Sequence, residues 1–564
     1  MAHGTSPVES LHALPARLAL ALLLLNSALV FLNLWPTLWI RPGFELSLEV
    51  LGLLASLALL ARLGVLPGPR SVALLACIFT LLALGRYADV TVPALFGRPI
   101  NFYWDTQHLP RVAAMMTESI AWWVLFLACA AALVVVAATW LLLRWAWRQV
   151  AQAIAHPLPR RVLGILGASG IALFAAAQAG VPGLERYFAR PVVLTYAEQL
   201  AFLRDALAAG GAEHKLPPAP ELTSDLQRVR GADVFVVFLE SYGAVAFDNP
   251  EFSGSLAQAR TALEDAVRDT GRAIVSARVE SPTFGGRSWL AHASLLAGIE
   301  VREPGIYDRL LTTQRATLVT HFHERGFRTV ALMPGLRSDW PEGAFYRFES
   351  VYASRELAYA GPQFGWWRIP DQFVLARLDQ VEIMRAGREP LFVFFPTITS
   401  HVPFRPTPPY QPDWARMLTA NPYDPEALRS ALAQVSEWSN LGPAYVDTVA
   451  YDYATLAGYL RANANRDFVL VILGDHQPPA GVAGEGASWD VPVHIIASRS
   501  RVLGALRAAG FEDGLSPRNA SLGRMHELTP ILLSAFSSDV HGESDPEGQP
   551  GIHVARAGVT AHAR

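Results

Sequence analysis

Apolar residues dominate five long segments in the first third of this chain, and form only short runs of six to eight residues after it. The long runs lie near 18–40, 46–66, 71–92, 119–143 and 162–182. Each can cross about 30 Å of hydrocarbon at about 1.5 Å per residue, so about five membrane helices are expected. The first is too long, and too poor in cleavage-site features, for a removed signal peptide. From Asp233 the runs have strand length: 233–239, 272–279, 327–332, 390–396, 467–473 and 491–497. They are apolar on both faces, the pattern of parallel strands covered by helices on each side. Helical stretches fill the intervals at 255–269, 288–297, 315–325, 370–384, 443–463 and 521–536. The expected architecture is a five-helix transmembrane bundle over 1–182, a connector over 183–231, and an α/β domain with a mainly parallel sheet over 232–564. The connector carries helical spacing over 194–207 and then a Pro-rich run from Lys215. The Gly-, Pro- and His-rich tail from Ser537 is assigned no element.

Basic residues in the short loops set an orientation. Arg62 and Arg70 flank the second connection, and Arg144, Arg148, Arg160 and Arg161 crowd the fourth. In the third, Arg86, Arg98 and Arg111 are balanced by Asp89, Asp105 and Glu118. The positive-inside rule then puts the N-terminus in the cytosol and the α/β domain outside it. The third connection also holds Arg98-Pro99-Ile100-Asn101-Phe102-Tyr103-Trp104-Asp105. It reads either as an interfacial loop at headgroup level, or as a contact to a lipid substrate or to the outer domain.

Composition narrows the function. A net charge of -3 offers no basic field for nucleic acid. Lys215 is the only lysine, a bias with no functional reading. The two cysteines, Cys77 and Cys129, both fall in membrane runs. The outer domain therefore has neither a disulfide framework nor thiolate metal ligands, and its core must hold it.

The chemistry lies just after the strand runs. The first ends in Glu240-Ser241-Tyr242-Gly243, and the fifth in Gly474-Asp475-His476-Gln477-Pro478. A hard oxygen beside an imidazole nitrogen suits Zn²⁺ or Mn²⁺. Between them, Gly285-Gly286-Arg287-Ser288 opens a helix. Ser288 is there either an N-cap or a nucleophile whose helix N-terminus would stabilise phosphate charge. The fourth run leads into Thr397-Ile398-Thr399-Ser400-His401-Val402-Pro403-Phe404. In an open α/β sheet such residues gather at the carboxyl edge.

Taken together, Glu-Ser, Gly-Arg-Ser, Ser-His-x-Pro-Phe and Gly-Asp-His-Gln-Pro, in that order, resemble the alkaline phosphatase and sulfatase superfamily. Within it the chain is most similar to phosphoglycerol transferases of the lipoteichoic acid synthase type. That resemblance implies one divalent metal ion, commonly Mn²⁺ with Zn²⁺ or Mg²⁺ as alternatives, held by Glu240, Ser288, Asp475 and His476, with Ser288 as nucleophile. It implies substrate-binding roles for His401 and, in Ala344-Phe345-Tyr346-Arg347, for Arg347. The family's nucleophile is Thr, the Trp of its substrate motif is replaced by Phe345, and no second substrate His is found in 333–338. No Cys/Ser-x-Pro-x-Arg surrounds Ser288, which argues against sulfate-ester cleavage. The implied activity is transfer of a phosphoglycerol-type headgroup from a membrane phospholipid donor, such as phosphatidylglycerol, to an envelope glycan or lipid at the outer face of a bacterial inner membrane. The alternatives are phosphoethanolamine transfer, phosphodiester hydrolysis, or a non-catalytic lipid-sensing regulator.

Overall fold

Asparagine and proline cut the first apolar run short. In a computed structural model, residues 7–107, 121–208, 216–337, 340–365, 369–517 and 520–538 are described, together with Leu109, Ala113, Met116 and Thr117. Helix α1 is Pro7–Val30, and Asn33 and Pro36 then fall in a small hairpin instead of continuing it. Helix α2, Leu48–Arg62, starts where the Ser47 hydroxyl accepts the Val50 amide hydrogen, and ends before Gly64. The remaining helices of this region are α3 (Pro69–Phe96), α4 (Phe102–Gln107), α5 (Trp122–Ala155), α6 (Pro157–Gln178) and α7 (Val192–Ala208).

Among the described residues, three helices are long and apolar enough to cross a membrane: α3, α5 and α6. The expected count of five is not confirmed. Helix α1 is 24 residues long, and Pro15–Val30 is the apolar part of it whose side chains are described. The 15 residues of α2 reach only about 22 Å. Helix α7 supplies the connector helix and lies against α3, its Tyr196 hydroxyl donating to the Leu81 carbonyl at 2.7 Å. Lys215, Arg111, Glu118 and the tail beyond 538 lie outside the described residues.

The outer sheet is built from β1 (Asp233–Leu239), β2 (Ala273–Glu280), β3 (Arg328–Met333), β4 (Ser350–Ala353), β5 (Leu391–Pro396), β6 (Phe468–Gly474), β7 (Asp490–Ala497), β8 (Glu512–Asp513) and β9 (Ser521–Arg524). The strand order is β8-β2-β7-β6-β1-β5-β3-β4, with β9 beside β2. Strands β6, β1, β5, β3 and β4 are parallel, whereas β7 runs antiparallel to both β6 and β2. The apolar run of β7 thus reflects an interior position and not a parallel direction. Segment 521–524, expected as the start of a helix, is β9; the helix begins only at Leu528.

Alternate residues of β1 enter two cores. Phe235, Val237 and Leu239 pack with α8 (Pro250–Asp269), α10 (Asp371–Leu378) and α11 (Gly442–Ala462). Val234, Val236 and Phe238 pack with α9 (Ser288–Ala297) and α12 (Leu528–Phe536). Because β2 is antiparallel to an antiparallel strand, it points the same way as β6. The carboxyl ends of β1, β2, β5 and β6 therefore share one edge.

Candidate metal centre

Each polar site follows a strand that ends on that edge, and the backbone there is pinned from several sides. The Glu240 amide donates to Thr397 Oγ1 at 3.0 Å, tying the tip of β1 to that of β5. Asp475 Oδ1 accepts the amides of Ser241 at 2.8 Å and His476 at 2.7 Å. Ser281, just past β2, donates its hydroxyl to the Asp475 carbonyl at 2.6 Å. Gly474 lets these tips converge, since a Cβ there would lie 1.8 Å from the Tyr242 carbonyl oxygen.

These contacts bring four of the residues singled out in the sequence together. Ser288 Oγ lies 3.1 Å from Glu240 Oε2 and 3.2 Å from His476 Nε2. His476 Nε2 is 3.4 Å from Asp475 Oδ2 and 3.6 Å from Glu240 Oε1. His476 Nδ1 lies 2.7 Å from the Gln477 carbonyl oxygen, so it carries the hydrogen and leaves Nε2 with a lone pair. Glu240, Asp475 and His476 are 6%, 1% and 1% exposed, and one ligand atom from each lies within 4.8 Å of the others.

The donors fit a divalent cation. Asp475 Oδ2 is buried and accepts no hydrogen bond, an arrangement that costs free energy unless a cation or donor faces it. Burial, reinforced by the negative charge of Asp475, pushes Glu240 well above the usual carboxylate range. Two buried carboxylates, an imidazole lone pair and a hydroxyl within this radius make a hard oxygen and nitrogen set of the kind Mn²⁺ or Zn²⁺ takes.

The capping reading of Ser288 does not hold. Arg287 occupies the N-cap of α9 with φ 65°, and no side chain makes the capping bond. The Ser288 hydroxyl is directed instead at Glu240 and His476.

His401 is half-buried after β5, with Nδ1 2.6 Å from the Val402 carbonyl oxygen. Burial holds it down at about 4 against that hydrogen bond, so its ring is neutral. Arg347 precedes a strand. It is an exposed residue at φ 55°, three positions before the amino end of β4, whereas the other candidates follow carboxyl ends.

Two further residues went unassigned in the sequence. His292, one helical turn after Ser288, lies between the rings of Phe238 and Phe394 at 4.6 and 5.4 Å. Its Nε2 is buried without a hydrogen bond, and burial lowers the ring to about 4. Its spacing from Ser288 was the available signal. Arg287 was visible inside its motif, but its partner, Asp105, is distant in sequence. Nη2 of Arg287 sits 2.5 Å from Asp105 Oδ1, so the third connection touches the loop that opens α9.

No protein-family model and no curated protein matches the chain. Solved structures do. Three of them are similar to it at low identity, the first described as a protein in the alkaline phosphatase superfamily. One is a member of that superfamily from Vibrio parahaemolyticus, at 16% identity and TM-score 0.37, covering 61% of this chain and 79% of that one. Another is the lipoteichoic acid synthase LtaP from Listeria monocytogenes, at 11% and 0.36, covering 57% and 80%. A third is the Streptococcus pyogenes phosphoglycerol transferase GacH in complex with sn-glycerol-1-phosphate, at 10% and 0.33, covering 57% and 84%.

Proposed function

We propose that this chain is a metal-dependent transferase of phosphoglycerol-type headgroups, anchored in a bacterial inner membrane with its α/β domain outside the cytosol. The observation that carries the reading is the Ser288 hydroxyl, uncommitted to capping and held 3.1 Å from Glu240 and 3.2 Å from His476 at the start of α9. The basic residues of the second and fourth connections support the orientation. Arg347 keeps a substrate role by resemblance only.

Glu240, Ser288, Asp475 and His476 would hold one divalent ion, Mn²⁺ first. Such an ion lowers the pKa of a bound hydroxyl and neutralises phosphate charge. The chain's own residues supply position. Ser288 Oγ forms a bond to the donor's phosphorus while the bond from phosphorus to the diacylglycerol oxygen breaks. The serine proton leaves as the hydroxyl hydrogen of diacylglycerol. An acceptor hydroxyl on a glycan or lipid then displaces Ser288 by the reverse exchange. The amide groups opening α9 face the developing charge. His401 donates through Nδ1 to its own loop, so its Nε2 accepts. That suits a hydroxyl of headgroup or acceptor better than a bare phosphate oxygen.

Incubating the purified full chain with Mn²⁺ and phosphatidylglycerol tests the reading. A phosphoglycerol adduct on the peptide containing Ser288, with release of diacylglycerol, is the expected result. Release of diacylglycerol without an adduct, or no reaction with this donor, overturns it.

A further inference from the structure

The end of α3 and the catalytic loop approach each other more closely than ordinary side chains permit. Gly97 caps α3 at φ 69°, and a Cβ on it would lie 2.2 Å from the Phe284 ring. Gly285 has φ 63°, and its Cβ would lie 2.7 Å from the Phe96 carbonyl oxygen. Helix α7 fixes the segment that follows: Gln199 accepts the Phe102 amide at 2.9 Å and donates to the Ile100 carbonyl at 3.0 Å. The result is that Asp105, on α4, is presented to two guanidinium groups. Arg98 grips it through two bonds of 2.9 and 3.2 Å, and Arg287 reaches it at 2.5 Å.

Among the described residues, this cluster carries one more positive charge than its anion needs. Arg98 and Arg287 are 18% and 12% exposed, and Nε of Arg287 is buried without a hydrogen bond. Holding two partly desolvated cations against one carboxylate costs free energy that a simple docking pair would avoid. Paired guanidinium forks are also the geometry that recognises phosphate. Arg287 directly precedes Ser288, and Arg98 and Asp105 belong to the third connection of the membrane part.

We propose that Arg98 and Arg287 form an anion subsite for the phosphodiester of the donor lipid, with Asp105 as an internal occupant that the donor displaces. The inference rests on the headgroup-transfer reading and deepens it, by making a loop of the membrane part a component of the donor site. Asp105 then competes with the donor, and removing its charge strengthens donor binding. Removing the charge of Arg98 weakens it. A docking staple behaves differently, because loss of either partner harms it in the same direction.

The test uses the full chain carrying Ser288→Ala, in detergent with Mn²⁺, titrated separately with short-chain phosphatidylglycerol and with free glycerol phosphate. Adding Asp105→Asn is expected to tighten binding by about threefold or more, and adding Arg98→Gln to weaken it by about tenfold, the size of one charged hydrogen bond. Arg98→Lys restores part of the loss, and thermal midpoints identify a variant that has failed to fold. The sign of the Asp105→Asn effect decides the matter even if Arg98→Gln unfolds. Parallel shifts with both ligands mean that the subsite reads phosphate itself, and a shift with the phospholipid alone means that it reads the diester. Weaker binding by Asp105→Asn, or no change in it, overturns the proposal. A wild-type chain that shows the binding pattern but forms no Ser288 adduct keeps the subsite and loses the transfer reading. An adduct without the binding pattern does the reverse.

Discussion

Ser288 is shared between a carboxylate and an imidazole, and what it does depends on what lies between them. On the proposed reading Ser288 is the nucleophile, and Ser288→Ala is expected to lose turnover while keeping its fold. Because Arg287 holds the cap position, the variant should lose less than the about 1 kcal/mol typical of a removed N-cap. Thermal unfolding beside a diacylglycerol-release assay checks both, and full turnover by the alanine variant would move the chemistry elsewhere. Ser288→Thr keeps a hydroxyl and should retain measurable activity. The ligand set makes a second expectation quantitative. Elemental analysis of the full chain should find about one divalent ion per molecule, since Glu240, Asp475 and His476 are the cluster of three such residues found among those described. Glu240→Gln or His476→Ala should lose it. At about a hundredfold excess over the dissociation constant the metal should add about 2.7 kcal/mol of stability to the wild type and none to either variant. Retention of two equivalents by both variants would refute the assignment.

The turn after β5 shows how an element is held and where sequence reading ends. Asp371, at the start of α10, accepts the amides of Ile398 at 2.9 Å and Thr399 at 2.7 Å, and Ser400 donates its hydroxyl to Asp452 of α11 at 2.8 Å. Both carboxyls are buried. Burial raises Asp371 from an ordinary 3.8 to about 6, and burial together with the charge of Asp371 also raises Asp452. A carboxyl raised in the folded state contributes stability below its unfolded value and loses it as pH rises through the folded one. The thermal midpoint should therefore fall as pH rises from about 4 through about 6, and Asp452→Asn should flatten that slope and be the more stable protein above it. Parallel profiles would show that the pair is not the cause. None of this was legible from the sequence, where Asp371 and Asp452 looked like ordinary helical carboxylates. The six main strands were legible to within one residue, because an apolar run buried on both faces needs no partner to be recognised. The short edge strands β4, β8 and β9 were not, since their burial depends on neighbours far along the chain. The gathering of Glu240, Ser288, Asp475 and His476 was readable because Glu240, Ser288 and the Asp475-His476 pair each follow a strand that ends on one edge. Arg287 with Asp105 was hidden, because the pairing joins two regions that sequence treats as separate.

Both cores of the outer domain are built from residues between Leu226 and Phe536, so their apolar burial does not draw on the membrane helices. A fragment of residues 216–538 should be soluble, show the far-ultraviolet dichroism of a mixed α/β protein, and bind its metal without a disulfide. Insolubility of several fragments starting between 190 and 231 would mean that the membrane part completes the core. The fragment should bind phosphatidylglycerol more weakly than the full chain, because it leaves Asp105 and Arg98 behind. The close passage of Gly97 over Phe284, and of Gly285 under Phe96, has a consequence for how such proteins can be recombined. A natural or engineered hybrid that joins one protein's membrane helices to another's catalytic domain has its obvious splice in the linker near residue 216. That splice would separate the two halves of a surface whose fit tolerates no Cβ. Functional hybrids should therefore carry the tip of α3 with the catalytic loop, so that these distant segments are inherited together.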